Sequence, residues 1–200
     1  MSDRVIIERL SKVGEAELHG LAGVLIDCVE GGASVSFMHP LPLPKALDFW
    51  RRIAADVLAG RRVLLAARDR TAGGAIVGTV QLVLDLPENQ PHRADLSKML
   101  VHRRARRHGC GAALLAAAEQ SARELGKSLL VLDTASGDAE RLYARLGWRR
   151  VGAIPGYALW PRGGLCETTI FYRELNPEMQ DPSSVRAAAL PIPPPSKVTP

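Results

Sequence analysis

The stretch Met99-Leu100-Val101-His102-Arg103-Arg104-Ala105-Arg106-Arg107-His108-Gly109-Cys110-Gly111 decides how this chain is read. Its first residues end an apolar run, Ala94–Val101, expected as a strand. Its last residue opens into the alanine-rich Ala112–Leu125, a helix that Gly126 closes. Between strand and helix lies a basic turn carrying Gly109 and Gly111. Such an order makes an anion cradle. The helix start offers unpaired N–H groups and a partial positive charge, and glycine lets the backbone approach a phosphate closely. The turn lacks the Gly-Lys-Ser/Thr ending of a Walker A loop and does not read G-x-G-x-x-G, which argues against ATP and NAD.

The segments on either side alternate strand and helix patterns. Val5–Leu10 reads as a strand and Glu15–Glu30 as a helix with Leu18, Leu21, Ala22, Leu25 and Val29 at helical spacing, stopped by Gly31-Gly32. Pro40, Pro42 and Pro44 lead into a second helix, Lys45–Ala59. Arg62–Arg68 and Ala75–Asp85 flank a Gly73-Gly74 turn and predict a hairpin. Beyond the cradle come a buried strand, Leu129–Asp133, a helix, Ala139–Leu146, and strands Arg149–Ile154 and Glu167–Leu175. Three successive strands without helices exclude a fully parallel, doubly wound sheet. The pattern predicts an α+β fold with a mixed sheet, antiparallel pairs beside a crossover.

The 200 residues are 46% hydrophobic and 24% charged, which suits one soluble domain over 1–175 with a single core. Half of the 14 prolines fall after Asn176, so 176–200 reads as a proline-rich flexible tail. No apolar run approaches the roughly 20 residues that a spanning helix needs. The N-terminal residues lack a signal-peptide pattern, so no membrane partner and a cytoplasmic location are expected. Cys28, Cys110 and Cys166 form no CxxC pair and suggest neither disulfides nor a metal site. Arg103, Arg104, Arg106 and Arg107 account for four of the five net positive charges, so the basicity is local and suits a phosphate.

Arg106, Gly109 and Gly111 match the R/Q-x-x-G-x-G/A signature of the GNAT superfamily of N-acetyltransferases, with Arg107 standing where a glycine is common. A second element, Ala139-Glu140-Arg141-Leu142-Tyr143-Ala144-Arg145-Leu146-Gly147-Trp148, resembles that family's A-x-x-x-Y-x-x-x-G-F/W pattern. Gly31–Met38, Leu96–Val101, Leu132-Asp133-Thr134 and Gly152–Tyr157 further resemble bacterial tabtoxin-resistance acetyltransferases. The resemblance implies a central twisted sheet of about seven strands, splayed between the fourth and fifth and flanked by four helices. It also implies acetyl-CoA as donor, with no metal, and a homodimer as the assembly to test.

By that resemblance the pantetheine chain would pair with Met99, Leu100 and Val101. The pyrophosphate would sit on the amides of Arg106, Arg107, His108, Gly109, Cys110, Gly111 and Ala112. Tyr143 would protonate the departing thiolate, since a phenol of pKa about 10 stays protonated at neutral pH. A backbone N–H near Met99 would serve the oxyanion. Asp95 and Asp133 are the candidate bases and could also hold a cationic acceptor. The segment carrying Ser34, Phe37 and Met38 would overhang the acceptor.

The plainer alternatives are a turn cap for Asp133-Thr134, a solvated strand-entry charge for Asp95, a core aromatic for Tyr143 and inert packing for Cys110. Two functions from different classes follow. One is acetyl transfer to the amine of a small molecule, a toxin or antibiotic such as a tabtoxinine-type β-lactam, with a protein or peptide amine as rival acceptor. The other is a nucleic-acid-binding module using the arginine patch. Only 4% aromatic content and the lack of a recognition motif argue against nucleic acid as a partner.

Overall fold

The computed structural model describes residues 4–175; the expected tail lies outside the described residues. The elements run β1 (Val5–Arg9), α1 (Glu15–Glu30), α2 (Leu43–Leu58), β2 (Arg62–Asp69), β3 (Ala75–Val83), β4 (Arg93–Val101), α3 (Cys110–Glu124), β5 (Leu129–Thr134), α4 (Gly137–Arg145), β6 (Arg149–Leu159) and β7 (Leu165–Glu174). This is the order the sequence pattern predicts.

The strands form one sheet in the order β1-β2-β3-β4-β5-β7-β6. All neighbours are antiparallel except β4 and β5. A parallel pair needs a crossover, and α3 supplies it. The mixed α+β sheet read from the sequence is therefore the fold, with four helices on its two faces.

Each face buries its own core. Against α3 lie Val63, Leu65, Val80, Leu82, Leu96 and Leu130, with Leu114, Leu115 and Ala118 from the helix and Tyr143, Trp148 and Phe171 at one end. Against α1 and α2 lie Leu64, Ala66, Ile76 and Leu100, with Leu21, Leu25, Trp50 and Ile53. Leu64 and Leu65 belong to opposite cores because successive strand residues face opposite sides.

Two departures from the sequence reading position the site. β6 continues through Pro155 to Leu159 instead of stopping at Ile154, and its pairing with β7 breaks between Ile154 and Ala158. It is the sheet's edge strand, where a proline without an N–H is tolerated beside an irregularity. α3 starts at Cys110, not Ala112, because left-handed Gly109 (φ +79°) turns the chain directly into the helix.

Candidate active site

β4 and β5 pair only at Arg93 with Leu129, Ala94 with Leu130 and Asp95 with Val131. Beyond Asp95, β4 continues to Val101 without a strand partner on that side among the described residues. This is the expected splay, and it leaves a wedge in the sheet with backbone polar groups along its wall.

A bulge shapes that wall. The β3–β4 register steps from Gln81 opposite Ser97 to Thr79 opposite Leu100, so β4 carries one extra residue, and Lys98 takes a left-handed φ of +49°. Strict alternation from Leu96, in the α3 core, would put Lys98 on the α3 face and Met99 on the other. Instead Met99 packs against the α3 core and Leu100 enters the α1/α2 core. Lys98 thereby joins Asp95 and Ser97 on the α2 side.

At the closed end of the wedge a cavity of about 320 Å³ is lined by Arg93, Asp95, Ser97, Asp133, Tyr157, Val83, Val131, Leu132 and Ile170. Both candidate bases converge there. Arg93 Nη2 donates to Asp95 Oδ2 at 3.2 Å and lies equally close to Oδ1, which is buried and accepts no well-aligned hydrogen bond among the described residues. Burial pushes the Asp95 carboxyl above its ordinary pKa against the pull of Arg93, and the charge of Asp133 pushes the same way. Asp133 is exposed and accepts from Thr168 Oγ1 of β7 at 2.9 Å. It does not cap the turn after β5, since Thr134 Oγ1 accepts from Ser136 N there.

Tyr143 of α4 is 3% exposed, its ring tilted against Trp148 and Phe171 at centroid distances of 5.8 and 5.7 Å. Its ring is a core aromatic, so any role in catalysis belongs to the hydroxyl. Burial holds the phenol pKa well above its ordinary value, and Asp133 raises it further. The phenol therefore keeps its proton throughout the neutral range.

At the other end of β4 the cradle is tied down from within. Asp27 of α1, 8% exposed, accepts from Arg103 N at 2.8 Å and from Arg103 Nε at 2.9 Å. His102 Nδ1 accepts from Arg104 N at 3.3 Å, and burial keeps that imidazole below its ordinary pKa. Arg106 Nε donates to the Val101 carbonyl at 3.1 Å, and Cys28 Sγ approaches the same oxygen at 3.6 Å. Two of the four arginines thus brace the turn, and one carbonyl of the expected pantetheine strip already has donors.

Arg107 adopts φ +62° at a position where glycine is common in the resembled pattern; exposed Arg107 and His108 lead into Gly109. A Cβ on Gly109 would meet nothing within 4 Å, so open space lies over the helix start. One on Gly111 would come within 2.9 Å of Leu142 Cδ2 and 3.1 Å of Met99 Cε, so this glycine serves helix packing. The buried Cys110 thiol is pushed up to about 11, which keeps it neutral and inert.

A model of the acetyltransferase (GNAT) family matches residues 36–148. The chain belongs to that family. The acetyltransferase is also 29% identical, over 80% of its own length and 95% of the relative's, to an uncharacterized N-acetyltransferase from the hisH-hisA intergenic region of Azospirillum brasilense. Its fold is similar to that of a Sinorhizobium meliloti phosphinothricin acetyltransferase solved with acetyl-CoA. The TM-score is 0.71, with 18% identity and coverage of 88% of this chain and 90% of the other. It is equally similar in fold to a ribosomal-protein-alanine N-acetyltransferase from Brucella melitensis, at TM-score 0.69, 22% identity and coverage of 84% and 99%.

The segment between α1 and α2 in the acetyltransferase is fastened to the β6–β7 hairpin. Ser34 Oγ donates to the Leu159 carbonyl at 3.0 Å and His39 N to the Pro161 carbonyl at 2.8 Å. Ser34 thus holds the loop. Phe37 stacks edge-on against Phe49 at 5.2 Å, and Met38 is exposed. None of the three lines the cavity between Asp95 and Asp133. Sequence reasoning missed Arg93, Ser97, Lys98 and Tyr157, which do line it or face it. Arg93 and Ser97 could have been found from their spacing of two around Asp95; Lys98 could not, because the bulge alone re-aims it.

Proposed function

We propose that the acetyltransferase moves the acetyl group of acetyl-CoA to the amine of a small molecule by direct attack in a ternary complex. The observation that carries this reading is the wedge itself, with an anion cradle at one end of unpaired β4 and two carboxylates around a cavity at the other. The cradle suits a pyrophosphate: backbone N–H groups at the α3 start, open space over Gly109, and exposed Arg107 and His108. A cavity of about 320 Å³ is of small-molecule size.

Acetyl-CoA supplies the thioester. Asp133 or Asp95 takes the proton of the acceptor's ammonium, directly or through a water, and frees the attacking lone pair. Burial of Asp95 brings its pKa nearer to that task. As the tetrahedral adduct collapses, Tyr143 gives its proton to the departing thiolate and takes the second proton from the acylated nitrogen, while a β4 N–H near Met99 stabilises the oxyanion. Resistance to a toxin or antibiotic is the setting this reading favours, with a tabtoxinine-type β-lactam the first acceptor to try. A cytoplasmic setting suits the three free, buried cysteines.

Calorimetry with acetyl-CoA on wild type and Arg106→Ala, beside a duplex DNA titration, tests the cradle. Binding near the micromolar range, weakened in the variant, supports it and justifies an amine screen by thiol release. No cofactor binding, with salt-sensitive DNA binding instead, overturns it in favour of an arginine patch for nucleic acid. Acetylated lysines or N-termini accumulating in a protein mixture, with no small amine turned over, would transfer the reading to a peptide acceptor.

A further inference from the structure

The acceptor cleft has two chemical poles. Around Asp95 and Asp133 the surplus is of acceptors, since among the described residues their four carboxylate oxygens meet only Arg93 Nη2, 3.2 Å from both oxygens of Asp95, and the Thr168 hydroxyl. Around Lys98 the surplus is of donors. Lys98 Nζ gives one hydrogen bond, to Ser36 Oγ at 3.0 Å, and lies 5.9 Å from the centroid of the Phe49 ring. Neither partner carries a negative charge, although an ammonium has three protons to give. Gln81, opposite Ser97 on the neighbouring strand and fully buried, accepts from Arg62 Nη1 at 3.0 Å, yet its Nε2 has no partner among the described residues. A buried N–H donor without an acceptor costs free energy that an arriving oxygen would restore.

The bulge is what creates this second pole. Its left-handed Lys98 breaks the strand's alternation and delivers a cation to the face that holds the carboxylates. For a non-glycine residue that conformation is strained, and such strain gathers at functional sites. We propose that Lys98 is the anchor for an anionic group on the acceptor, so that the acceptor is an amine that also bears a carboxylate or comparable oxyanion. Its ammonium lies toward Asp133 and Asp95, and its anion lies on Lys98 with Ser36. Partial desolvation lowers the Lys98 pKa, as does Arg62, while Asp133 opposes both and favours the charged form. An incoming carboxylate adds to that favourable side.

This proposal rests on the acyl-acceptor reading above, and its test separates the two. Amino acids and their carboxamides, matched in side chain, are offered with acetyl-CoA to wild type, Lys98→Gln and Lys98→Arg. In parallel, the CoA-saturated proteins are titrated calorimetrically with N-acetylglycine and N-acetylglycinamide. The carboxylates should be preferred in kcat/KM by about tenfold or more, the usual consequence of leaving a charged site group unpaired. Lys98→Gln should raise KM for carboxylates and erase the preference, Lys98→Arg should restore part of it, and acetyl-CoA affinity should not move. Transfer that is indifferent to the carboxylate, or equal in wild type and Lys98→Gln, overturns the anchor alone. N-acetylglycine binding that needs Lys98, without transfer to any amine, upholds the anchor and overturns the transferase reading. Neither Lys98-dependent binding nor transfer overturns both.

Discussion

Asp27→Asn should loosen the cradle from a helix that lies outside it. Asp27 is nearly buried and holds the entry to the turn through two hydrogen bonds from Arg103, one from the backbone N–H and one from Nε. His102 Nδ1 lies 3.3 Å from Asp27 Oδ2 but accepts from Arg104 N, so it is not counted as a third donor. A bond from a backbone N–H to a buried carboxylate contributes about 1.5 kcal/mol, at the low end for charged partners. The guanidinium of Arg103 is half exposed, so its bond is discounted for solvent to about 0.5 kcal/mol. The asparagine amide also turns an N–H2 toward one of these donors. Its remaining oxygen still accepts from the other, so the loss is about 1–2 kcal/mol, or a fall in Tm of about 2–8 °C for a domain of this size.

Part of that loss should reappear in binding, because a loosened turn must be reordered around the pyrophosphate. Acetyl-CoA should bind about three- to tenfold more weakly, with kcat unchanged. The control is Glu30→Gln, which removes an exposed contact of 3.5 Å to the same arginine and should cost less than about 0.5 kcal/mol. Thermal unfolding and calorimetry on both variants decide it. An Asp27→Asn protein no different from Glu30→Gln in Tm and acetyl-CoA affinity would refute the idea that α1 positions the turn.

The two cradle glycines should respond differently to alanine. Gly109→Ala, at φ +79°, should cost about 1–2 kcal/mol in urea unfolding, whereas Gly111→Ala should cost less than about 1 kcal/mol, because the atoms it meets are the mobile ends of Leu142 and Met99. The reverse order would contradict the roles given to them. Tyr143→Phe keeps the buried ring and should lower kcat at least tenfold, at the modest end for a lost general acid, with unchanged acetyl-CoA affinity; equal kcat would leave the phenol without a part in the proton transfer. Asp69, buried and bonded to Arg4 and Thr71, has its pKa held well below the carboxylate range, chiefly by Arg4. Its folded form binds the proton less readily than the unfolded chain, so its contribution is full above about pH 4 and fades as pH falls through the folded pKa. Asp69→Asn should therefore flatten the acid limb of a stability-against-pH curve, and an unchanged limb would place acid sensitivity elsewhere.

Local chemistry carried much of this in the sequence. Apolar spacing along Glu15–Glu30 gives the helix its observed ends, and the Gly109-Cys110-Gly111 turn after an apolar run marks the strand-to-helix corner. These are properties of a few neighbouring residues, which is why composition and periodicity reveal them. The two carboxylates, and their meeting at the splay, could be named once the sequence was read as this fold; the groups around them could not, since Arg93 and Ser97 on β4, Tyr157 on β6 and Ile170 on β7 are brought together only by the sheet. Likewise the basic run suggested four free arginines, and packing turned Arg103 onto Asp27 and Arg106 onto the Val101 carbonyl.

By itself, then, the sequence determined the order of the elements, the mixed sheet and the place of the basic strand-to-helix turn, because hydrophobic period, caps and glycine turns act over one or two helical turns. Only the tertiary structure decided which side chains face the cavity between the two carboxylates. That depends on where β4 parts from β5 and on the one extra residue at Lys98, which reverses the face of every position after it. A period of two cannot register such a slip until the neighbouring strand is in place.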